Sequence, residues 1–188
     1  MTLLLFGLGL WCAVHLVPSL ATGFRSRLIG GFGEGRYKLI FSLCLVLAIV
    51  LMVFGWRSIT PEQIYTPPAW GRHATMALVL LTFYLFAVAR SKSNIKRILR
   101  HPQLSGLLLW CIGHLLANGD SRALTLFPVL FLWALLEMYC INRRQGAWQK
   151  PDPVSWGTEI ITAIKGLLLY TVFLFAHPYL SGVTLVSL

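Results

Sequence analysis

Long apolar runs separated by short polar stretches dominate this chain. Six runs approach the roughly 20 residues that an α-helix needs to cross a bilayer, so we predict six membrane spans. They cover residues 3–20, 39–56, 70–89, 104–119, 123–141 and 159–177. His177-Pro178 is expected to end or bend the last span, with the apolar tail from Tyr179 to Leu188 in the membrane interface. The predicted fold is all-α, a polytopic membrane helix bundle, and residues 1–188 are predicted to be one domain.

The segments between the predicted spans are short and contain local signals of their own. The glycine-rich stretch 30–35 is predicted to be a flexible turn that leads into the second span. Gly7 and Gly9 lie within an apolar helix, where small residues predict close packing against a neighbouring helix. Met1-Thr2 carries no basic residue, so we expect the first span to be retained rather than cleaved as a signal peptide.

The composition supports a membrane protein. Hydrophobic residues make up 57% of the chain and charged residues only 12%, whereas soluble domains carry about 25% charged residues. The net charge of +10 raises nucleic-acid binding as an alternative. However, the basic residues cluster between the apolar runs, as in cytoplasmic loops that contact anionic lipid head groups. We therefore expect the lipid bilayer as a partner and no nucleic acid.

The basic residues are distributed unequally between the two sides of the predicted bundle. The odd-numbered loops carry Arg25, Arg27, Arg36, Lys38, Arg90, Lys92, Lys96, Arg97, Arg100, Arg143, Arg144 and Lys150. The other side carries only Arg57, Arg72 and Arg122. Because basic loops remain in the cytoplasm, this asymmetry predicts cytoplasmic odd-numbered loops and two termini outside.

One short pattern of residues with potential chemistry occurs in two spans. It reads Trp11-Cys12-Ala13-Val14-His15 in the first span and Trp110-Cys111-Ile112-Gly113-His114 in the fourth. Trp and His are four residues apart and Cys and His three apart, so the three side chains share one helix face. Two histidines from facing helices can supply both axial ligands of a haem. The alternative is that each His forms a hydrogen bond within the bundle while Trp and Cys fill space.

Other polar residues suggest local roles. Glu137 is expected to pair with Arg143, Arg144 or Lys165, because opposite charges inside a bundle usually meet. Asp120 either caps the fifth span or orients a ligand. The four cysteines include no C-x-x-C-H sequence, which excludes a covalently attached haem of the c type.

Several motifs together resemble one protein family. The most specific is Arg100-His101-Pro102-Gln103-Leu104-x-Gly106, followed by Trp110-x-x-x-His114-Leu115-Leu116-Ala117-Asn118-Gly119-Asp120. Supporting motifs are His15-Leu16-Val17-Pro18, Gly33-x-Gly35-Arg36-Tyr37 and His177-Pro178-Tyr179-Leu180-x-Gly182. This set resembles the signature of the NnrU family and covers nearly the whole chain. NnrU proteins are multipass bacterial membrane proteins named for an association with nitrite and nitric oxide reduction.

The resemblance implies a cofactor and its ligands. A plant and cyanobacterial relative of the family is 15-cis-zeta-carotene isomerase, a membrane enzyme with haem b. By this resemblance His15 and His114 would bind the haem iron, Cys111 would exchange with the second His, and His101 would be a further cofactor-binding residue. The predicted substrate pocket contains Trp11, Trp110, Arg100, Asn118 and Asp120. The isomerase has another His after its second span, where this chain has Trp56-Arg57.

Three functions follow from these patterns. The first is a haem b protein of the bacterial inner membrane that isomerises a polyene or another apolar lipid substrate. The second is a non-enzymatic accessory protein of a nitric oxide reductase system in denitrification. The third comes from a second resemblance: Arg-His-Pro-x-x-x-Gly is similar to a motif of membrane methyltransferases that use S-adenosylmethionine. The matching residues would be Arg100, His101, Gly106, Glu137 and Arg143, although position 104 is Leu instead of the usual Tyr.

Overall fold

The computed structural model describes residues 1–185, and seven α-helices make up most of this part of the chain. The helices are α1 Thr2–Leu20, α2 Thr22–Phe32, α3 Glu34–Ser58, α4 Gly71–Arg90, α5 Pro102–Ala117, α6 Ser121–Gln145 and α7 Trp156–Ser181. A single 3-10 turn, Asn94–Arg97, lies between α4 and α5. The described residues form no strand beyond an isolated bridge between Gln63 and Asp120. The predicted all-α fold is confirmed.

Each predicted span corresponds to one helix. Five helices, namely α1, α3, α4, α6 and α7, are long and apolar enough to cross a membrane. Helix α5 is apolar but has only 16 residues, which extend about 24 Å at 1.5 Å per residue. Its start is fixed by Pro102, which occupies the first helical position, where no intrahelical N–H bond is lost.

Helix α2 was not predicted. The expected flexible turn at 30–35 is wrong except at Gly33, because α2 continues to Phe32 and α3 begins at Glu34, while Gly33 turns the chain with a φ of 80°. Phe24, Leu28 and Phe32 are four residues apart, so they lie on one face of this helix. Arg25 and Arg27 lie on the same helix as this apolar face. Basic residues beside an apolar face are expected for a short helix at a membrane interface.

The end of α7 also differs from the prediction. His177-Pro178 does not end the helix, which continues to Ser181 and stops where Gly182 adopts the left-handed conformation. Pro178 is tolerated because it lies within the last turn, where only one backbone hydrogen bond is lost. The predicted interfacial tail therefore begins as helix, and its residues 186–188 lie outside the described part of the chain.

Contacts between neighbouring helices organise the bundle. Helix α1 packs along α3, helix α4 packs against both α5 and α7, and α6 contacts both α1 and α5. The approach of α1 to α3 is very close: a Cβ at Gly55 would overlap the Leu4 backbone nitrogen, and one at Gly7 would lie 2.8 Å from the Ala48 oxygen. The predicted close packing is confirmed at Gly7, whereas Gly9 faces open space.

The hydrophobic core lies where α1, α3, α5 and α6 meet. Its buried members are Leu4, Leu8, Trp56, Cys111, Ala123, Phe127, Leu130, Trp133 and Ala134. Trp11, Cys12 and Trp110 pack against this core. The two Trp-Cys-x-x-His segments therefore lie against the same core. The outer sides of α3 and α7 expose many large apolar side chains, including Leu43 and Leu168, which suits contact with lipid.

Candidate functional site: two histidine clusters on α6

The two Trp-Cys-x-x-His segments have nearly the same local geometry. The rings of Trp11 and His15 have centroids 4.3 Å apart at 44°, and those of Trp110 and His114 are 4.5 Å apart at 48°. This agreement confirms the prediction that Trp and His share one helix face in each span. The repeated sequence thus builds the same aromatic–imidazole pair on α1 and on α5.

Each histidine is held in one tautomer by its own helix. Nδ1 of His15 lies 3.0 Å from the Trp11 carbonyl oxygen, and Nδ1 of His114 lies 2.9 Å from the Trp110 carbonyl oxygen. A carbonyl only accepts, so Nδ1 must donate in both rings and Nε2 of the neutral ring keeps its lone pair. No described residue forms a hydrogen bond with either Nε2. Metal-binding histidines are oriented in the same way by donating their other N–H to a carbonyl.

The His15 cluster consists of His15, Trp11, Phe41 and Trp133. The imidazole lies between Trp133 of α6, at a centroid distance of 4.7 Å, and Phe41 of α3, at 5.8 Å. Trp11 and Trp133 meet edge to face at 5.5 Å. The indole N–H groups of both tryptophans are buried and have no hydrogen-bond partner. The ring of His15 is therefore enclosed by aromatic groups from three helices.

The His114 cluster consists of His114, Trp110, Trp56 and Phe127. His114 lies 4.8 Å from the ring of Phe127 at an angle of 30°. Trp110 contacts the same phenylalanine at 4.9 Å, and Trp56 contacts it at 5.9 Å. Phe127 of α6 thus has the place in this cluster that Trp133 has in the first.

Helix α6 connects the two clusters and sets their offset. Phe127 and Trp133 are six residues apart, which corresponds to a rise of about 9 Å along the helix. Among the described residues no group of three or more His, Cys, Asp or Glu could hold a metal ion. A zinc-type site needs such a group. Haem iron takes four nitrogens from the macrocycle and needs only one or two protein ligands, so a pair of imidazoles fits haem better than a bare ion.

The cysteines of the repeat occupy different environments. Cys111 is completely buried in the core, whereas Cys12 is partly exposed, and both are free thiols. Cys111 lies one helical turn before His114 on the same helix.

Two residues predicted for a substrate pocket, Asn118 and Asp120, stabilise a turn. Asp120 caps α6 by accepting hydrogen bonds from the backbone N–H groups of Arg122 and Ala123. The Asn118 side chain donates to the His114 carbonyl at 2.9 Å. The predicted capping role of Asp120 is confirmed. Burial disfavours the ionised carboxyl of Asp120, but the hydrogen bonds from Arg122 and Ala123 outweigh this and hold its pKa below the ordinary value.

The segment after α3 is fastened onto this same turn. The backbone N–H groups of Ile64 and Tyr65 donate to the Gly119 carbonyl at 2.8 and 3.0 Å. The Tyr65 hydroxyl donates to the carbonyls of Leu115 and Asn118. A Cβ at Gly119 would overlap the Tyr65 backbone oxygen, so only glycine fits there. The turn therefore fixes the end of α5, three residues beyond His114.

The expected ion pair of Glu137 is wrong. Glu137 is buried on α6 and accepts a hydrogen bond from Ser19 of α1, while its other oxygen has no partner. Among the described residues it forms no ion pair with Arg143, Arg144 or Lys165. Arg144 donates to the Pro18 carbonyl instead, and Lys165 lies exposed on α7, which packs against α4. Packing of α6 against α1 thus decides the partner of Glu137.

Arg100 and His101 lie apart from both histidine clusters, where α5 begins and α6 ends. Arg100 Nη1 donates to the Gly146 carbonyl at 2.9 Å. His101 Nε2 lies 2.8 Å from the Asn142 amide oxygen. Both line an open groove of about 620 Å³. The structure therefore places these two predicted cofactor and substrate residues in a second site, away from His15 and His114.

Phe127 and Trp133 were missed by the sequence reasoning, although each contacts a histidine of the repeat. A six-residue separation is not a helical repeat, so the sequence of α6 alone gives no signal for the pair. A small apolar cavity of about 150 Å³ was also not foreseen. Val14, Tyr37 and Phe41 are among its lining residues, so it lies beside the His15 cluster.

Comparison with known proteins gives one match. The family described as "NnrU: NnrU protein" matches residues 3–185 of the chain. No curated protein matches. No solved structure matches either.

Proposed function

Because the chain belongs to the NnrU family, we propose that it is a haem b protein of the bacterial inner membrane. His15 and His114 would be the residues that hold the haem iron, and both termini are periplasmic. Because their clusters are offset by about 9 Å along α6, binding of both histidines to one iron would require α1 and α5 to bring them level. When bound, haem b would supply one-electron redox and Lewis-acid chemistry. The chain's own contribution is to orient the two imidazoles and to exclude water around them.

One observation carries this proposal: the paired hydrogen bonds of the two Nδ1 atoms. They direct both Nε2 lone pairs away from the histidines' own helices. No described residue forms a hydrogen bond with either Nε2, and neither Nε2 is among the buried unpartnered atoms, so both remain accessible to a ligand. The aromatic rings around each imidazole provide an apolar lining suited to a macrocycle.

The test is the absorption spectrum of the purified chain, oxidised and reduced, after expression with added haem precursor. We expect a Soret band that His15→Ala and His114→Ala each remove or shift. His73→Ala is the matched control, because His73 is exposed at the start of α4 and lies outside both clusters. A wild-type protein that folds and carries no chromophore would overturn the proposal. Equal spectra of all three variants would overturn the ligand assignment alone.

Isomerisation of a polyene or another apolar substrate is a second candidate, favoured by the apolar cavity beside His15. Its wall includes Phe41, which also contacts the His15 ring. At about 150 Å³ it is smaller than the roughly 300–1,000 Å³ of typical ligand pockets, so it would hold only a segment of a long chain. The wider substrate pocket would then involve Trp11 on the other side of the imidazole.

The remaining candidates are the accessory role and methyl transfer, and simple observations separate them from isomerisation and haem binding. Neither described cavity adjoins both histidine clusters, which agrees with an accessory role in a nitric oxide reductase system. Neighbouring genes for carotenoid synthesis would favour isomerisation, and nitric oxide reductase genes would favour the accessory role. Methyl transfer is ranked last, because no hydrogen bond or ion pair among the described residues joins Glu137 to Arg100 or His101.

A further inference from the structure

A polar groove lies at the end of the bundle where α5 begins and α6 ends. Its volume is about 620 Å³, and its lining includes Arg100, His101, Ile141, Gln145, Trp148 and Gln149. Neither histidine cluster contributes to it. The residues that follow α6 close one side, since Arg100 donates to the Gly146 carbonyl and so ties the start of α5 to this loop.

The groove has hydrogen-bond donors and positive charge but no acidic group. One N–H of the Arg100 guanidinium is used by Gly146, and no described residue accepts from the others. The Lys150 ammonium lies 5.5 Å from the Trp148 ring centroid, at the rim. No carboxylate lines the groove, and the two ion pairs of the described chain involve Glu34 and Asp120, which are elsewhere. The uncompensated charge favours an anion.

The first turn of α5 strengthens this preference. Helix α5 begins at Pro102, directly after Arg100 and His101 of the lining, and the aligned peptide dipoles at a helix amino end favour negative charge. The last turn of α6, which also lines the groove, has the opposite dipole, and the hydrogen bond from Arg100 to the Gly146 carbonyl offsets it. The remaining guanidinium N–H groups suit the two non-bridging oxygens of a phosphate diester, which share its negative charge.

The surroundings indicate which kind of phosphate compound binds. The groove lies at the ends of membrane-spanning helices, on the side with twelve of the fifteen loop cations, and not in a soluble domain. Ile141 contributes an apolar wall, and the half-buried Trp148 has the amphipathic ring that is enriched at membrane interfaces. Basic pockets between helices on this side of a membrane bind anionic lipid head groups. We propose that the groove binds the phosphate head group of an anionic membrane phospholipid.

The test uses the full-length purified chain and phosphatidylglycerol, with phosphatidylcholine as the zwitterionic comparison, and measures lipid retention by native mass spectrometry. We expect the wild type to retain phosphatidylglycerol preferentially. Arg100→Gln should weaken that retention about tenfold, the usual loss for one charge-assisted contact. Arg27→Gln is the matched control, because Arg27 is an exposed arginine on the same side of the bundle, on α2 and outside the groove.

A second pair of variants leaves Arg100 in place. Ala147→Glu adds a carboxylate to an exposed position of the groove lining and should repel the lipid. Ser26→Glu adds the same charge outside the groove and should not. If a groove variant and its control lost the same amount of lipid retention, the lipid would be held by diffuse attraction to the basic surface. That result would overturn the proposed binding site. Displacement of the lipid by millimolar inorganic phosphate would assign the groove to a free phosphate compound and overturn the lipid. Because no haem is needed, the result is independent of the proposed cofactor.

Discussion

Asp120 connects the end of α5 to the start of α6 through both a cap and an ion pair. Its carboxylate accepts from two backbone N–H groups and pairs with Arg122 at 3.1 Å, where both side chains are largely shielded. Arg122 also lies over the Trp56 ring at 4.6 Å. Through Trp56 this network reaches Phe127 and hence the His114 cluster. A single acidic residue therefore positions part of the candidate site without contacting it.

Asp120→Ala should lower the free energy of unfolding by about 1–2 kcal/mol, the usual effect of losing a capping side chain. Asp120→Asn keeps a capping oxygen but loses the ion pair, so it should cost less. The measurement is thermal unfolding of the detergent-solubilised protein. Asp152→Ala serves as the control, because Asp152 is exposed in the segment before α7.

The same residue predicts a dependence on pH. The folded pKa of Asp120 lies below its ordinary value of 3.8. Its stabilising contribution is therefore complete above the unfolded pKa and is lost as the pH falls through the lower folded pKa. The stability difference between wild type and Asp120→Asn should be constant near neutral pH and should shrink as the pH falls below the ordinary pKa of 3.8 towards the lower folded pKa. A difference that grows on acidification would contradict the sign of the shift.

Residue-scale prediction from sequence succeeded where the partners are local. Capping by Asp120 depends on two residues that follow it, and the shared helix face of Trp and His in each repeat depends on their four-residue spacing. Glu137 shows the opposite case, since its partner Ser19 is 118 positions away in the chain. Only the packing of α6 against α1 brings those two together, and no local pattern encodes that packing.

At the scale of elements, close approach of α1 and α3 leads to a direct prediction. Gly55→Ala should lower the free energy of unfolding by about 1–3 kcal/mol, because its Cβ would overlap backbone atoms of α1 that cannot move alone. Gly9→Ala is the matched control, because a Cβ there meets nothing within 4 Å. The higher helix propensity of alanine should make it neutral or slightly stabilising. Comparable unfolding temperatures for the two variants would refute the close packing.

The observed helix boundaries show which sequence features predicted the helices well. A long apolar run identified every long helix even where Glu137 or Lys165 interrupts it, because length and hydropathy are properties of the segment itself. Helix α2 was missed because Gly30 and Gly31 are typical of turns, and their signal concealed the four-residue spacing of Phe24, Leu28 and Phe32. The end of α7 was misjudged because His177-Pro178 was expected to end or bend the helix, whereas the helix continues to Ser181.

At the scale of the whole molecule, the sequence predicted the bundle but only part of the candidate site. The two Trp-Cys-x-x-His segments could be found as a repeat. Their offset along α6 could not, since it depends on which α6 side chains each histidine meets. The groove beside Arg100 was likewise hidden, because its lining combines the start of α5 with residues after α6.

The orientation of the bundle is the last prediction and concerns every helix. The excess of basic residues predicts that the segments after α1, α4 and α6 lie in the cytoplasm and that the segment after α3 lies in the periplasm. Ser26→Cys and Gln149→Cys should therefore react with a membrane-impermeant maleimide only after permeabilisation, whereas Thr60→Cys should react in spheroplasts. All three positions are exposed. The wild type is the background control, because its four cysteines lie within membrane-spanning helices. The reverse labelling pattern would invert the bundle and place the groove beside Arg100 in the outer leaflet.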